Sequence, residues 1–179
     1  MILFRHADPR WPFLWETDEQ PPGRWHGVGD GPVQYLADTP DGAWAEFLRH
    51  EEIKDPEDLS TVRRALWAIE VDEAQSAAEP EVPAEVLTGG RESYALCQAE
   101  ATRLRARGET RLSALSAALL PGEARGWRVD KKVLPAPERE ARTIVLFGPR
   151  PELVGWEVVG RGNPEPHLLP KVRHFEVRA

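Results

Sequence analysis

The sequence predicts a single α+β domain spanning residues 1–179, and three observations carry that expectation. Short apolar segments of strand-favouring residues open the chain and recur between Pro/Gly turns in its second half. One well-capped helix and one long Ala/Leu/Glu/Arg-rich helix stand between them. The elements do not alternate as regular strand–helix–strand units, which argues against a parallel βαβ array. A chain of 179 residues is long enough to bury on the order of 70% of its unfolded surface in one core without disulfides or metal.

Ile2-Leu3-Phe4-Arg5, closed by Asp8-Pro9, reads as a first strand paired inside the sheet. Residues 11–31 hold Pro21-Pro22-Gly23 and glycines at 27, 29 and 31. No regular element runs far through such a stretch, and a loop of that length in a compact domain is often functional. Val33–Ala37 is the next strand, stopped by Asp38.

A helix follows at once. Asp38 or Thr39 can cap it, Pro40 suits its first position because a missing N–H costs nothing there, and Asp41 sits favourably at the positive end of the dipole. Ala43, Trp44, Phe47 and Leu48 make its apolar stripe, with Glu46 off the stripe's centre, and the helix is expected to end between His50 and Ile53. Pro56-Glu57-Asp58 starts another helix, and Ala65–Val71 is read as a strand in preference to that helix's end.

Residues 73–90 are a weakly patterned connection within the domain. Arg91–Arg107 is the clearest long helix, stopped by Gly108. Residues 111–120 fit a strand or a short helix, whereas 127–134, 143–147 and 156–159 have strand composition. Trp25, Trp44 and Trp67 are assigned to the core.

Composition narrows function by exclusion. The net charge of −7, from 30 acidic and 23 basic residues, argues against a phosphate-backbone partner. The arginines at 103, 105 and 107 are read as a solvated helix end. Mean hydropathy is −0.50 and no run approaches the roughly eighteen apolar residues of a spanning helix, so no membrane role is expected. The lone Cys97 and the plain opening MILFRHADPR lead to a cytoplasmic expectation.

Five histidines without HExxH spacing, and one cysteine, make a metal site improbable, and no prosthetic group is expected. The phosphate loop GxxxxGK[ST] and the elbow GxSxG do not occur, and the glycines at 27–31 precede a strand instead of a helix.

Three segments carry a positive signal: Pro22–His26, Val33–Pro40 and Ala43–Glu46. Together they resemble the signature of the RES domain family, named for its Arg, Glu and Ser. Eleven positions separate Arg24 from Tyr35, and eleven separate Tyr35 from Glu46, in that family's order of loop, strand and helix. Leu115–Pro121 resembles its serine segment, with Ser116 as the third letter and Ser113 as the substitute. Leu115 stands where the family often has proline, and Glu123–Asp130 stands where it often has an Asn-Pro-His stretch.

The resemblance implies a fold similar to ADP-ribosyltransferase toxins, with a central split β-sheet, flanking helices and NAD held in a cleft. It implies a toxin of a toxin–antitoxin pair that breaks the nicotinamide–ribose bond of NAD, as substrate, by hydrolysis or phosphorolysis. The implied partner is an Xre-type helix-turn-helix antitoxin that blocks the cleft.

In that frame Glu46 would bond a ribose hydroxyl and stabilise the oxocarbenium-like transition state. Arg24 would grip a phosphate with its planar fork, Tyr35 would stack on or hydrogen-bond beside nicotinamide, and Ser116 would orient nicotinamide or a ribose hydroxyl. Arg5 and His26 are further NAD-binding candidates; Arg5 lies in a strand, where it must face a polar cleft or pair with an acid. ADP-ribose transfer to a protein and an inactive RES-like binding domain are the competing readings, and a homodimer through exposed Trp-rich loops is left open.

Overall fold

A computed structural model describes residues 1–175 except 15, 18, 74 and 75. Its strands are β1 (Ile2–Ala7), β2 (Val33–Ala37), β3 (Arg64–Glu70), β4 (Arg111–Leu115), β5 (Trp127–Asp130), β6 (Lys132–Pro135), β7 (Arg142–Phe147) and β8 (Val154–Gly162). Its α-helices are α1 (Pro40–His50), α2 (Pro56–Leu59), α3 (Ala84–Thr88) and α4 (Tyr94–Ala106), with 3₁₀ turns at Arg91–Ser93 and Pro166–Lys171. The architecture is α+β, as the sequence predicts.

Six strands form one antiparallel sheet in the order β4-β7-β2-β1-β3-β8. β1 pairs with β3 along six positions, from Ile2↔Glu70 to Ala7↔Ala65. With β2 it meets in register at Phe4↔Ala37 alone among the described residues. The sheet is therefore two three-stranded halves joined at a narrow waist. Arg5 of β1 donates to the Gln34 Oε1 of β2 across that split.

Three apolar clusters hold this frame. α1 packs through Trp44, Phe47 and Leu48 on Leu59, Leu66, Leu119 and Leu168. α4 packs through Cys97, Ala101 and Leu104 on Trp25, Leu112 and Val145. Leu3, Leu36, Ile69, Ile144 and Leu146 form the third cluster, with Phe13, Leu14 and Trp67 against it. Full burial of side chains of this size contributes about 1.5–3 kcal/mol each.

The local signals explain most boundaries. Thr39 Oγ1 accepts from the Gly42 N–H at 3.0 Å and Pro40 opens α1. Gly108 takes φ +85° beyond α4, a conformation glycine adopts without steric penalty. The open choice over 111–120 resolves as a strand that leaves the sheet at Ser116, where the Ser116 N–H still bonds Ala141 O at 2.9 Å.

Two expectations shift. The connection 73–90 contains α3, whose five residues are too few to show a helical period. The long helix begins at Tyr94, because Arg91–Ser93 wind as a 3₁₀ turn. Arg103, Arg105 and Arg107 form ion pairs with Glu100, Asp30 and Glu81. Among the described residues no helix is long and apolar enough to cross a membrane, and no group of His, Cys, Asp and Glu has the makings of a metal site.

Candidate active site

The split in the sheet opens into a cleft between α1 and the loop of residues 20–26. It has two lobes, of about 630 Å³ and 380 Å³, which share Arg5, Tyr35, Glu46, His50 and Thr143. Glu46 thus stands at the junction, carried on α1, a helix fixed by its cap and its buried face.

The Glu46 carboxylate is hydrogen-bonded through one oxygen and faces His50 with the other. Its Oε1 accepts from the Ser116 and Thr143 hydroxyls, each at 3.4 Å. Its Oε2 lies 3.7 Å from His50 Nε2, one turn along the helix. Its side chain keeps 25% of its surface exposed, so Oε2, which takes no hydrogen bond among the described residues, can meet a ligand.

Ser116 is buried and acts behind Glu46. Besides donating to the carboxylate, its Oγ accepts from the Ala118 N–H at 3.1 Å and the Leu119 N–H at 3.4 Å. Its neighbours Leu115 and Ala117, not Ser116 itself, line the cleft. Ser113 lies elsewhere, on β4, where its Oγ accepts from Arg142 Nε at 2.6 Å.

Tyr35 and His26 form one rigid unit. His26 Nε2 lies 2.9 Å from the Pro21 carbonyl, which can only accept, so Nε2 carries the proton. His26 Nδ1 then accepts from the Tyr35 hydroxyl at 2.8 Å, and that hydroxyl accepts from the Trp25 N–H at 2.9 Å. Burial pushes the Tyr35 phenol above its ordinary pKa and the His26 imidazole below its own, so both are neutral at neutral pH. Gly23 is required beside them, because a Cβ there would come within 2.8 Å of the Tyr35 oxygen and the His26 ring.

Arg24 is buried, and its guanidinium ties the loop to α3 and α4. Nη1 donates to Val86 O at 3.0 Å and Ser93 Oγ at 2.8 Å, Nη2 donates to Gly89 O at 2.6 Å, and the group lies 4.8 Å from the Tyr94 ring centre. Arg5 meets the sequence expectation for a strand cation. It faces the cleft, its partner is the neutral Gln34, and burial pushes its pKa down to about 10.

Sequence reasoning missed Arg49, His50, Thr143, Arg91 and Tyr94. Arg49 is 2% exposed. Its Nη1 donates to Ala117 O and Arg173 O, both at 2.5 Å, and its Nη2 to Gly89 O at 2.7 Å, so it ties α1 to the Ser116 loop, to the segment at Arg173 and to the end of α3. The signal for Arg49 and His50 was present, since they stand three and four residues after Glu46 and share its helix face. Nothing local points to Thr143, Arg91 or Tyr94.

Fold and site together define a class: an α+β protein with a split antiparallel sheet and a basic two-lobed cleft centred on one helix-borne carboxylate. The family model of the RES domain matches residues 2–160, and the chain belongs to the RES domain family. A protein named "Toxin Res" from Pseudomonas putida (strain KT2440) is 49% identical over 57 residues, which cover 32% of this chain and 37% of that protein. The aligned stretch therefore spans little more than a third of the relative. The crystal structure of the M. tuberculosis MbcT–MbcA toxin–antitoxin complex contains a chain of the same fold, with TM-score 0.54 and 15% identity over 89% of this chain and 84% of that one.

Proposed function

We propose that the protein is a toxin that cleaves the nicotinamide–ribose bond of NAD in this cleft. The observation that carries the reading is the charge of the larger lobe: four arginines, at 5, 24, 49 and 91, line it against the single carboxylate of Glu46, in a chain whose net charge is −7. Such a lobe favours an anionic ligand. The carboxylate at its inner end favours a ligand that develops positive charge there, which a dinucleotide losing nicotinamide does.

The residues divide the work. Glu46 offers its Oε2 to a ribose hydroxyl and to the cationic sugar, while Ser116 and Thr143 fix its orientation. The Tyr35–His26 unit makes a neutral, rigid wall, and Arg5 supplies positive potential where the lobes meet. Membership of the family, and the names of the P. putida and M. tuberculosis relatives, support pairing with an antitoxin, which we take to be of the Xre type.

The test is NAD consumption by the purified protein beside Glu46→Gln. A unit charge about 4 Å from the developing cation is worth about 4 kcal/mol at the effective dielectric of a partly exposed site, or about 10³-fold in rate. Glu46→Gln should therefore lower kcat about a thousandfold with an unchanged circular dichroism spectrum. Product analysis separates the acceptors: ADP-ribose for water, its 1-phosphate for phosphate, and covalent label for protein transfer. Absence of turnover in the wild type under all three conditions would overturn the reading.

A further inference from the structure

Four arginines line the larger lobe, and their commitments differ. Arg24 and Arg49 both donate to the Gly89 carbonyl, at 2.6 and 2.7 Å, and their other Nη groups bond framework acceptors. Arg5 is held by Gln34 at the junction. Arg91 is exposed and makes no side-chain hydrogen bond or ion pair among the described residues, so all five of its donors are uncommitted.

Arg91 is nevertheless held in place. Its guanidinium lies 5.2 Å from the ring centre of Phe175, a ring that also has the Arg49 guanidinium at 4.3 Å and the His50 ring edge-on at 5.9 Å. Phe175 is itself anchored by the residues before it. Leu120 N–H donates to Lys171 O at 2.9 Å and Arg173 N–H to Ala118 O at 2.7 Å, both on the loop that carries Ser116. An aromatic face can locate a guanidinium while leaving its in-plane donors free for a ligand.

We propose that Arg91, seated on Phe175, is the residue that grips the pyrophosphate of the dinucleotide, while Arg24 is a framework residue that holds the Pro/Gly loop to α3 and α4. The ADP half of the ligand then lies in the larger lobe and the nicotinamide ribose lies at Glu46. The planar fork of Arg91 matches two phosphate oxygens, and with no acceptor on it among the described residues no existing bond is broken when phosphate arrives. This inference rests on the NAD reading of the cleft.

The experiment compares NAD with nicotinamide riboside, which has the scissile bond and no phosphate. Arg91→Ala should raise KM for NAD about ten- to a hundredfold, the range of a lost charge-assisted hydrogen bond, with kcat changed less than about threefold. The loss of kcat/KM should be at least about tenfold smaller for nicotinamide riboside. Arg91→Lys should recover part of the affinity, and Phe175→Leu should raise KM for NAD severalfold. ADP-ribose binding to the Glu46→Gln protein, read by calorimetry, should weaken in parallel when Arg91→Ala is added. Unchanged KM and ADP-ribose affinity in Arg91→Ala, or equal losses on both substrates, would overturn the assignment while leaving the NAD reading intact. A wild type that neither consumes NAD nor binds ADP-ribose would instead remove the NAD reading, and this inference with it.

Discussion

Tyr35→Phe tests whether this residue serves the frame or the chemistry. The Tyr35 hydroxyl donates to His26 Nδ1 at 2.8 Å and accepts from the Trp25 N–H at 2.9 Å. Trp25 is 1% and His26 4% exposed. Removing the oxygen leaves a buried backbone N–H without its acceptor, at about 2 kcal/mol, and a ring nitrogen without its donor, at about 1 kcal/mol more. The imidazole cannot repair this by changing tautomer, because Nε2 would then lose the Pro21 carbonyl. A total of about 3 kcal/mol corresponds to a fall in Tm of about 6–12 °C for a domain of this size. Differential scanning calorimetry and urea unfolding at pH 7 measure both quantities, and NAD turnover well below Tm should stay within about threefold of wild type. A Tm within 2 °C of wild type, or a hundredfold loss of turnover in a protein that remains folded, would refute the assignment of the hydroxyl to the frame.

Two further outcomes follow from the same geometry. Ser116→Ala should lower kcat by about tenfold, far less than Glu46→Gln, because Thr143 still donates to the same carboxylate oxygen; it should also cost about 1–2 kcal/mol in urea unfolding, since the Ala118 and Leu119 N–H groups lose their shared acceptor. His6 should make the protein acid-labile. Burial, then the neighbouring Arg64, Arg5 and His50, lowers its pKa from 6.5 to about 3, so stability present above pH 6.5 is lost as pH falls towards 3, by about 2 kcal/mol at pH 5. His6→Asn, whose amide oxygen can still accept from Arg64 Nη2 in place of Nδ1, should lose about 2 kcal/mol less than wild type between pH 7 and pH 5, and parallel losses in urea titrations would contradict this.

How much of the site was legible in the sequence depends on how far apart its parts lie along the chain. Arg24, Tyr35 and Glu46 belong to one continuous loop–strand–helix unit, in which Gly23, the strand pattern and the Thr39-Pro40 start each leave a local mark. The bonds that set their roles do not. Arg24 reaches Ser93, 69 positions away, and Glu46 meets Thr143, 97 positions away. A pattern of local periods cannot show either contact. The strand β7 was readable from its β-branched residues, but that its Thr143 faces the cleft depends on pairing with β2 in the register Ala37↔Thr143. Arg91 reads as the start of a long helix and nothing more, because its place at the cleft follows from the 3₁₀ turn and from Phe175.

The cleft holds several buried or half-buried cations with little local compensation, and this is where fold and function bear on one another. Arg5, Arg49 and Arg64 all have pKa values lowered chiefly by burial. Their protein partners are mostly neutral: Gln34 for Arg5, three carbonyls for Arg49, and the His6 ring for Arg64, whose carboxylate neighbour Asp8 lies at 3.9 Å. A frame selected only for stability would pair such groups with acids, which this chain has in excess, or replace them with apolar side chains. Retaining them with so few close acidic partners raises the free energy of the folded frame, and an anion bound there would recover part of that cost as affinity and as stability of the folded state. If the protein is the NAD-cleaving toxin proposed, the same potential would favour an acidic segment of a protein inhibitor over a neutral one, and substrate and inhibitor would compete for one electrostatic feature.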